Sequence, residues 1–301
     1  MRFTQGFLAA ALFLVGAPTH AFEYSDAVLA KNPIAYWRLG ETSGTTAYDS
    51  VGDYHGTYEG DYTLGNPGVF TAEGDSDAAV QSGNGANGWW SSWFGADIGH
   101  VEIAHDEAFL LDEGTVSLWF NADAHAYFGN GLFSKDSNGF DDGGHLNIYT
   151  GSGNRVYARL QSDTTSYQIA SDTDSFQLNE WVHLAFSFGA QGMKLYLDGE
   201  LIGTNAYSGG LLGNLEPIAL GANAGWSGDG TVDPLYGGFS GLLDEFSIFD
   251  RALSAADIQD LYTGVNTTVA DVGVPTPSPL LLIALLLTLV GGRAQLWKLS
   301  A

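Results

Sequence analysis

The sequence predicts an all-β protein, and three observations lead to this fold class. Apolar residues alternate with other residues along 181–188 and 193–197, which is the pattern of strands that bury one face. Asp198-Gly199 follows, and this dipeptide tolerates the two positive φ values of a type I′ hairpin turn. The 301-residue chain also has 41 Gly, 17 Phe, 14 Tyr and 8 Trp, which suits strands joined by many loops.

Similar strands recur along the chain with turn residues between them, at the spacing that a two-sheet sandwich requires. We expect a single domain over residues 22–264. The predicted strands are 34–39, 99–103, 115–121, 132–135, 145–149, 156–161, 167–171, 181–188, 193–197, 218–220 and 241–249.

One short helix is predicted after the last strand. Ser254 is placed to cap its N-terminus, and Asp257 lies three residues on, in the first turn. Apolar residues follow at helical spacing up to Tyr262, and Gly264 ends the helix.

The charge of the chain is strongly acidic. It has 35 Asp and Glu against ten Lys and Arg, and all the acids but only seven of the bases lie between residues 22 and 274. Such a surface repels nucleic acid and anionic lipid and favours cations, so nucleic acid is excluded as a partner. Since the chain has no cysteine, stability must come from the core, from metal, or from both.

Both chain ends are predicted to be targeting segments. Residues 1–21 combine a basic residue, an apolar run and small residues before a cleavage point, the pattern of a signal peptide. Residues 265–274 form a linker. Residues 275–301 begin with prolines, continue with an apolar run at 280–292 and end with bases; that run is shorter than the about 20 residues of a membrane span.

The segment 275–301 resembles the C-terminal sorting signals of the PEP-CTERM type, found in Gram-negative bacteria that make exopolysaccharide. The resemblance implies an exported protein of the cell surface or extracellular matrix, with transient membrane association through a tail that is later removed. The chain has Val-Pro-Thr-Pro at 274–277 where that family has Val-Pro-Glu-Pro. The alternative is a simple tail anchor.

Four blocks of sequence resemble, in order, the laminin-G-like domain. They are 35–41, 181–185, 195–199 and 241–254. The resemblance covers about residues 31–264 and implies a concanavalin A-like jelly-roll sandwich of two antiparallel sheets with one short C-terminal helix. It leaves function open, because such sandwiches host lectins, adhesion modules and glycanases.

Asp244 stands out among the acids of the predicted strands. The alternation along 241–249 that places Phe246 and Ile248 on one face also places Asp244 there and points Glu245 the other way. An unpaired carboxylate on an apolar face costs several kcal/mol, so Asp244 needs a partner.

Calcium is one such partner. Asp49 and Asp53, in a glycine-containing loop, could supply further oxygens, which makes Asp244, Asp49 and Asp53 a candidate structural Ca²⁺ site. The alternative is that Asp244 accepts backbone N–H groups or pairs with Arg38 or Arg251.

An aromatic loop is the candidate ligand site. Trp89, Trp90 and Trp93 could stack on sugar rings, with Asn87 supplying hydrogen bonds and Trp226 joining the same surface. The alternative is that these indoles belong to the core.

Catalysis is not predicted. Glycanases of this superfamily place acids at i, i+2 and i+5 on one strand, and no predicted strand has that spacing. Related lyases use a Gln-Ile-His strand, whereas residues 168–170 read Gln-Ile-Ala. The sequence therefore indicates a noncatalytic module that binds extracellular polysaccharide or a surface glycan. The alternatives are a structural matrix or adhesion protein that contacts other proteins, and a divergent hydrolase or lyase.

Overall fold

The computed structural model describes residues 24–70, 78–82, 97–126, 129–136, 143–224 and 235–264. The predicted signal peptide, linker and sorting segment lie outside these residues. Within them, two antiparallel sheets pack face to face with little helix, which confirms the predicted sandwich.

The strands are β1 Ala35–Trp37, β2 Thr46–Ala47, β3 Gly56–Glu59, β4 Tyr62–Pro67, β5 Ala78–Ser82, β6 His100–Ile103, β7 Gly114–Ala122, β8 Asn130–Lys135, β9 His145–Gly151, β10 Arg155–Gln161, β11 Ser166–Ala170, β12 Val182–Phe188, β13 Met193–Leu197, β14 Glu200–Asn205, β15 Ile218–Leu220, β16 Asn223–Ala224, β17 Leu235–Tyr236 and β18 Gly241–Phe249. The helices are α1 Tyr24–Ala30 and α2 Ala255–Thr263, with a 3₁₀ turn at Glu107–Phe109.

The two sheets are named here A and B. In the described residues, sheet A runs β14-β13-β12-β7-β18-β5-β4, and β1 pairs with β18 as well. Sheet B runs β11-β10-β9-β8-β15-β6-β3-β2, while β16 and β17 pair with each other. Neighbours in space are often distant in sequence, as in a jelly roll.

The main core fills the space between the sheets. Phe133 of sheet B stacks on Phe246 of sheet A, with ring centroids 5.7 Å apart, and Trp37 packs against the same Phe246 at 5.6 Å. All three side chains are buried, and each such burial stabilises the fold by about 1.5–3 kcal/mol.

A second apolar layer covers the outer face of sheet A. Tyr24 and Val28 of α1 and Ile258 and Leu261 of α2 pack over Trp119 of β7. This layer explains why β12 and β13 are buried on both faces, whereas their alternation predicted only one buried face.

An ion pair joins the two helices of this layer. The Lys31 Nζ lies 2.6 Å from Asp260 Oδ2 and 3.0 Å from Asp257 Oδ1, and Lys31 is only 3% exposed. The cover of sheet A therefore ties the start of the described domain to its end.

The predicted faces of β18 are wrong because the strand contains a β-bulge. Glu245 has a φ of 54°, and the register with β7 shifts between Asp244 and Ser247. The extra residue reverses the alternation, so Asp244 lies opposite Trp119 on the outer face, under the helices. Its neighbour Leu243 belongs to the main core.

The predicted turns and caps are confirmed. Asp198 and Gly199 have φ values of 47° and 78°, as a type I′ turn requires. The Ser254 side chain accepts the Asp257 N–H while the Asp257 carboxylate accepts the Ser254 N–H, and Gly264 ends α2 with a φ of 66°. In the described part of the chain, none of the helices is both long and apolar enough to span a membrane.

Candidate functional site

The outer face of sheet B carries polar and aromatic side chains, because every second residue of its strands points away from the core. Along β9 and β10, residues such as Leu146 and Leu160 alternate inward, and the residues between them point outward. Cross-strand pairing places Arg159 opposite Asn147 on one side and Gln168 on the other. A polar row thus crosses β9, β10 and β11.

Arg159 lies at the centre of this surface, and buried neighbouring side chains fix the position of its guanidinium group. Its Nη2 contacts the Asp136 carboxylate, and its Nη1 donates to Gln161 Oε1 at 2.5 Å. Asn147 Nδ2 donates to the same carboxylate at 3.2 Å, and His145 Nδ1 lies 3.4 Å from it.

The supporting side chains are covered, whereas the guanidinium reaches solvent. Asp136, His145 and Asn147 are 2%, 0% and 3% exposed, and the Arg159 side chain is 24% exposed. A planar group held in this way loses little conformational freedom when it binds a ligand, which favours affinity.

Three tyrosines surround Arg159. Tyr149 and Tyr157 lie opposite each other on β9 and β10, with nearly parallel rings whose centroids are 5.0 Å apart. Gln168 Nε2 donates to the Tyr149 hydroxyl at 2.6 Å. Burial, reinforced by the negative charge of Asp136 and opposed by Arg159, raises the pKa of Tyr236 to about 12, which keeps its hydroxyl protonated.

We name this surface the Tyr–Arg face and define it as Tyr149, Tyr157, Arg159, Gln168 and Tyr236. Each member is at least partly accessible. Aromatic rings offer flat apolar contact, and the guanidinium, amide and hydroxyl groups offer fixed hydrogen-bond donors and acceptors. This combination suits a ligand with apolar ring faces and many hydroxyl or carboxylate oxygens.

Sequence reasoning missed the Tyr–Arg face, although the signal was present. In the predicted strands 145–149 and 156–161, every second residue is polar or aromatic, and these residues include Tyr, Arg and Asn. A face that only contacts water does not need these residue types. What the sequence lacks is the pairing order of the strands, which brings Gln168 beside Arg159. Tyr236 comes from the separate β16–β17 pair and lies near enough for the charges of Asp136 and Arg159 to act on its hydroxyl.

The candidate calcium ligands are occupied by backbone contacts or exposed. Asp49 accepts N–H groups from Tyr36 and Val51 through Oδ1, and from Gly52 and Tyr54 through Oδ2, at 2.9–3.3 Å. This carboxylate therefore organises its own loop.

Asp244 and Asp53 differ from Asp49 in their surroundings. Asp244 is fully buried, and its Oδ2 accepts the Val69 N–H at 2.9 Å, one of the alternatives considered for it. Asp53 is exposed. Among the described residues, no group of three or more His, Cys, Asp or Glu has the arrangement of a metal site. The geometry does not bring Asp244, Asp49 and Asp53 together as ligands, and calcium binding stays a prediction.

The predicted aromatic ligand site cannot be placed. Asn87, Trp89, Trp90, Trp93 and Trp226 all lie outside the described residues. Their role as ligand contacts stays a prediction.

A cleft of about 400 Å³ lies elsewhere, at the β10–β11 turn. Tyr207, whose ring stacks on Tyr167 with centroids 3.9 Å apart, forms part of its wall. Asp163 and Thr164 line it from the turn, and Asp112 lines it from the segment before β7. This cleft is a rival position for a ligand and supplies control residues for experiments on the Tyr–Arg face.

Comparisons with solved structures give the same fold. Domain 4 of AbnA, a GH43 extracellular arabinanase from Geobacillus stearothermophilus solved in complex with arabinotriose, matches with a TM-score of 0.52 and 19% identity, covering 76% of this chain and 98% of that domain. The receptor binding domain of botulinum neurotoxin C/D mosaic serotype matches with a TM-score of 0.53 and 15% identity, covering 77% of this chain and 51% of that one.

The binding domain of botulinum neurotoxin DC in complex with SialylT matches with a TM-score of 0.52 and 17% identity, covering 78% of this chain and 52% of that one. The chain thus spans about half the length of the toxin domains. At these identities the likeness shows the fold alone.

Comparison with curated protein sequences gives no match. The family model described as the concanavalin A-like lectin/glucanases superfamily, of the laminin G type, matches residues 94–259, which is more than half of the chain. The chain belongs to the laminin G branch of the concanavalin A-like lectin/glucanases superfamily.

Proposed function

We propose that this protein is a noncatalytic recognition module that binds polysaccharide or a surface glycan through the Tyr–Arg face. The observation that carries the proposal is the position of Arg159, fixed by Asp136 and Gln161 beside the stacked pair Tyr149 and Tyr157. Sugar rings present apolar faces to aromatic side chains and hydroxyl groups to planar donors, so this surface offers both kinds of contact.

Two structural relatives support a carbohydrate ligand. The arabinanase domain was solved with arabinotriose and a toxin binding domain with SialylT. These ligands belong to those proteins, and the shared sandwich makes a glycan the first class to test here.

The contacts of Asp136 favour binding over catalysis. Glycoside hydrolysis uses two carboxyl groups on either side of the scissile bond. In β9, β10 and β11, which the structure describes in full, the outward positions carry no carboxylate. Asp136 itself is buried and bound by Arg159 and Asn147.

The test is a glycan array read with the purified protein and with Tyr157→Ala. We expect glycan binding that falls at least ten-fold in the variant, because an aromatic contact at a binding centre contributes about 2 kcal/mol or more. Thr164→Ala, in the rival cleft, is the matched control and should bind normally. Loss of binding in Thr164→Ala with none in Tyr157→Ala would move the site to the cleft, and reducing-sugar release on incubation would overturn the noncatalytic assignment.

The aromatic loop and calcium remain parts of the proposal with their own tests. Trp90→Ala should weaken glycan binding and leave the fold intact if Trp89, Trp90 and Trp93 contact the ligand. If calcium assists folding, excess chelator should lower the melting temperature, since a ligand of the folded state stabilises it. An unchanged melting temperature would remove calcium from the proposal.

We also propose that the protein is exported to the cell surface or extracellular matrix, where polysaccharide is available. The signal-like segment 1–21 and the sorting-like segment 275–301 support this location. An array without any glycan signal, with and without Ca²⁺, would favour the alternative of a matrix or adhesion protein that contacts other proteins.

A further inference from the structure

The bases of this chain are few, and three of the seven outside the end segments are engaged within the protein. Lys31 is buried in an ion pair with Asp260. Arg38 lies 3.6 Å from the buried Glu245, and Lys135 is fully buried. Bases that remain at the surface are therefore unusual in an acidic molecule of net charge −25.

Two of these bases lie on the outer face of a single strand. Arg155 and Arg159 are both on β10, with Tyr157 between them, and the register of β10 with β9 is unbroken. Side chains at i, i+2 and i+4 of a strand share one face, so the two guanidinium groups flank the tyrosine, with their Cα atoms about 13 Å apart.

Arg155 is only partly buried, and it makes no ion pair with any carboxylate of the described residues. It lies opposite Gly151, which has no side chain to cover it. Arg159 donates two of its five N–H groups to Asp136 and Gln161, and its other N–H groups can donate to a ligand. Both guanidinium groups thus retain donors for a ligand.

The strands around them add no opposing charge on this face. On β9, β10 and β11, all fully described, the outward residues other than the two arginines are the buried His145 and uncharged side chains. Two acids outside these strands lie close to the arginines. Asp136 binds Arg159, and the exposed Asp172 follows Ser171, whose N–H donates to the Val156 carbonyl next to Arg155. Asp172 makes no ion pair with Arg155, so it leaves the Arg155 donors available.

We propose that the Tyr–Arg face, extended by Arg155, selects acidic glycans whose sugar residues carry carboxylates. Arginine matches a carboxylate with two parallel hydrogen bonds, and such charge-assisted bonds are stronger than those to hydroxyl groups. The net negative charge of the molecule repels a polyanion only weakly at this face, because charges more than about 8 Å away are largely screened in physiological salt. This inference rests on the proposed glycan binding and adds the class of glycan.

The experiment compares an oligogalacturonate with its methyl ester, which keeps the same sugar chain and removes the charge. We expect the acid to bind about ten-fold more tightly than the ester, the difference that one charge-assisted contact produces. Arg155→Gln should reduce this preference toward unity, while Lys194→Gln, on sheet A, should preserve it. Salt at 1 M, where screening acts over about 3 Å, should weaken the acid more than the ester.

The outcomes separate the inference from the function on which it rests. Equal binding of acid and ester, or an unchanged preference in Arg155→Gln, overturns the inference while glycan binding stands. Binding of neither probe, together with an empty glycan array, overturns the proposed function as well. Far-UV circular dichroism and the melting temperature of Arg155→Gln establish that the variant is folded.

Discussion

The amine of Lys135 lies 3.1 Å from Nδ1 of His105 at the border of the main core. The same Nζ donates to the backbone carbonyl of Glu216, and the Lys135 side chain is completely buried. It borders a small apolar cavity with Phe109 and Phe188. A charged amine is unfavourable in such surroundings, and two positive charges at this distance would repel.

Replacing Lys135 by methionine should stabilise the protein. Methionine fills a similar volume without a charge to desolvate, so we expect the free energy of unfolding at pH 7 to rise by about 1–4 kcal/mol. Urea denaturation measures this change. A loss of stability of similar size would mean that the contacts of the Lys135 amine outweigh its burial.

The same lysine should make stability depend on pH. Burial, opposed by the negative charge of Glu216, lowers the pKa of Lys135 from 10.5 to about 7. Between about pH 7 and 10.5 the unfolded chain therefore binds a proton that the folded protein has released, so the free energy of unfolding rises with pH. Below pH 7 both states are protonated and the full cost of burying the charge is present. Urea denaturation at pH 7 and pH 9 should show this rise in the native protein and a smaller rise in Lys135→Met.

Removing Lys31 should destabilise the helical cover of sheet A. Lys31→Met leaves Asp260 buried without its ammonium partner, which we expect to cost about 3–5 kcal/mol in the free energy of unfolding. Lys194→Met, a change of a partly exposed lysine without a carboxylate partner among the described residues, is the control and should cost less than about 1 kcal/mol. Equal effects of the two substitutions would contradict the role assigned to the ion pair.

Gly151 should be required for the position of the Tyr157 ring. A Cβ at Gly151 would come within 2.6 Å of Tyr157 Cε2, so Gly151→Ala must displace the ring. We expect weaker glycan binding with secondary structure retained, because the aromatic contact moves while the strand pairing persists. Isothermal titration with an array-identified glycan measures the effect. Unchanged affinity in a folded variant would show that the ring does not contact the ligand.

The mature protein should have neither terminal segment. Leu280 to Gly292 would extend only about 20 Å as a helix, short of the roughly 30 Å hydrocarbon core, so this run suits a temporary tag better than a permanent span. Mass spectrometry of the native protein should find a chain that begins at Phe22 and ends near Pro275 to Pro279. An intact Ala301 in the membrane fraction would favour the tail anchor.

The sequence predicted strands and turns well where the residues of the segment itself determine its conformation. The strands β13, β15 and β18 have the predicted bounds, and Asp198-Gly199 forms the predicted turn. The faces of β18 could not be predicted, because the bulge at Glu245 depends on pairing with a distant strand. Helix α1 was missed because seven residues are too few for a clear helical pattern, and such a short helix depends on tertiary packing, here on Trp119 and α2.

The candidate site was harder to predict for the same reason. Arg159 and Gln168 are neighbours only because β10 pairs with β11, and Asp136 reaches Arg159 from the end of β8. A sequence pattern shows which residues point away from the core, but it does not show which strands lie side by side. Isolated aromatic clusters such as 89–93 are easier to notice than a surface assembled from four separate segments.

The ion pair between Lys31 and Asp260 fixes on which side of the sandwich the two helices lie. It places α1 and α2, the first and last elements of the described domain, together on the outer face of sheet A. The Tyr–Arg face belongs to the outer face of sheet B, on the other side of the sandwich. A domain held through either of these helices would present the Tyr–Arg face away from the point of attachment, so tethering and the proposed glycan binding would use different surfaces.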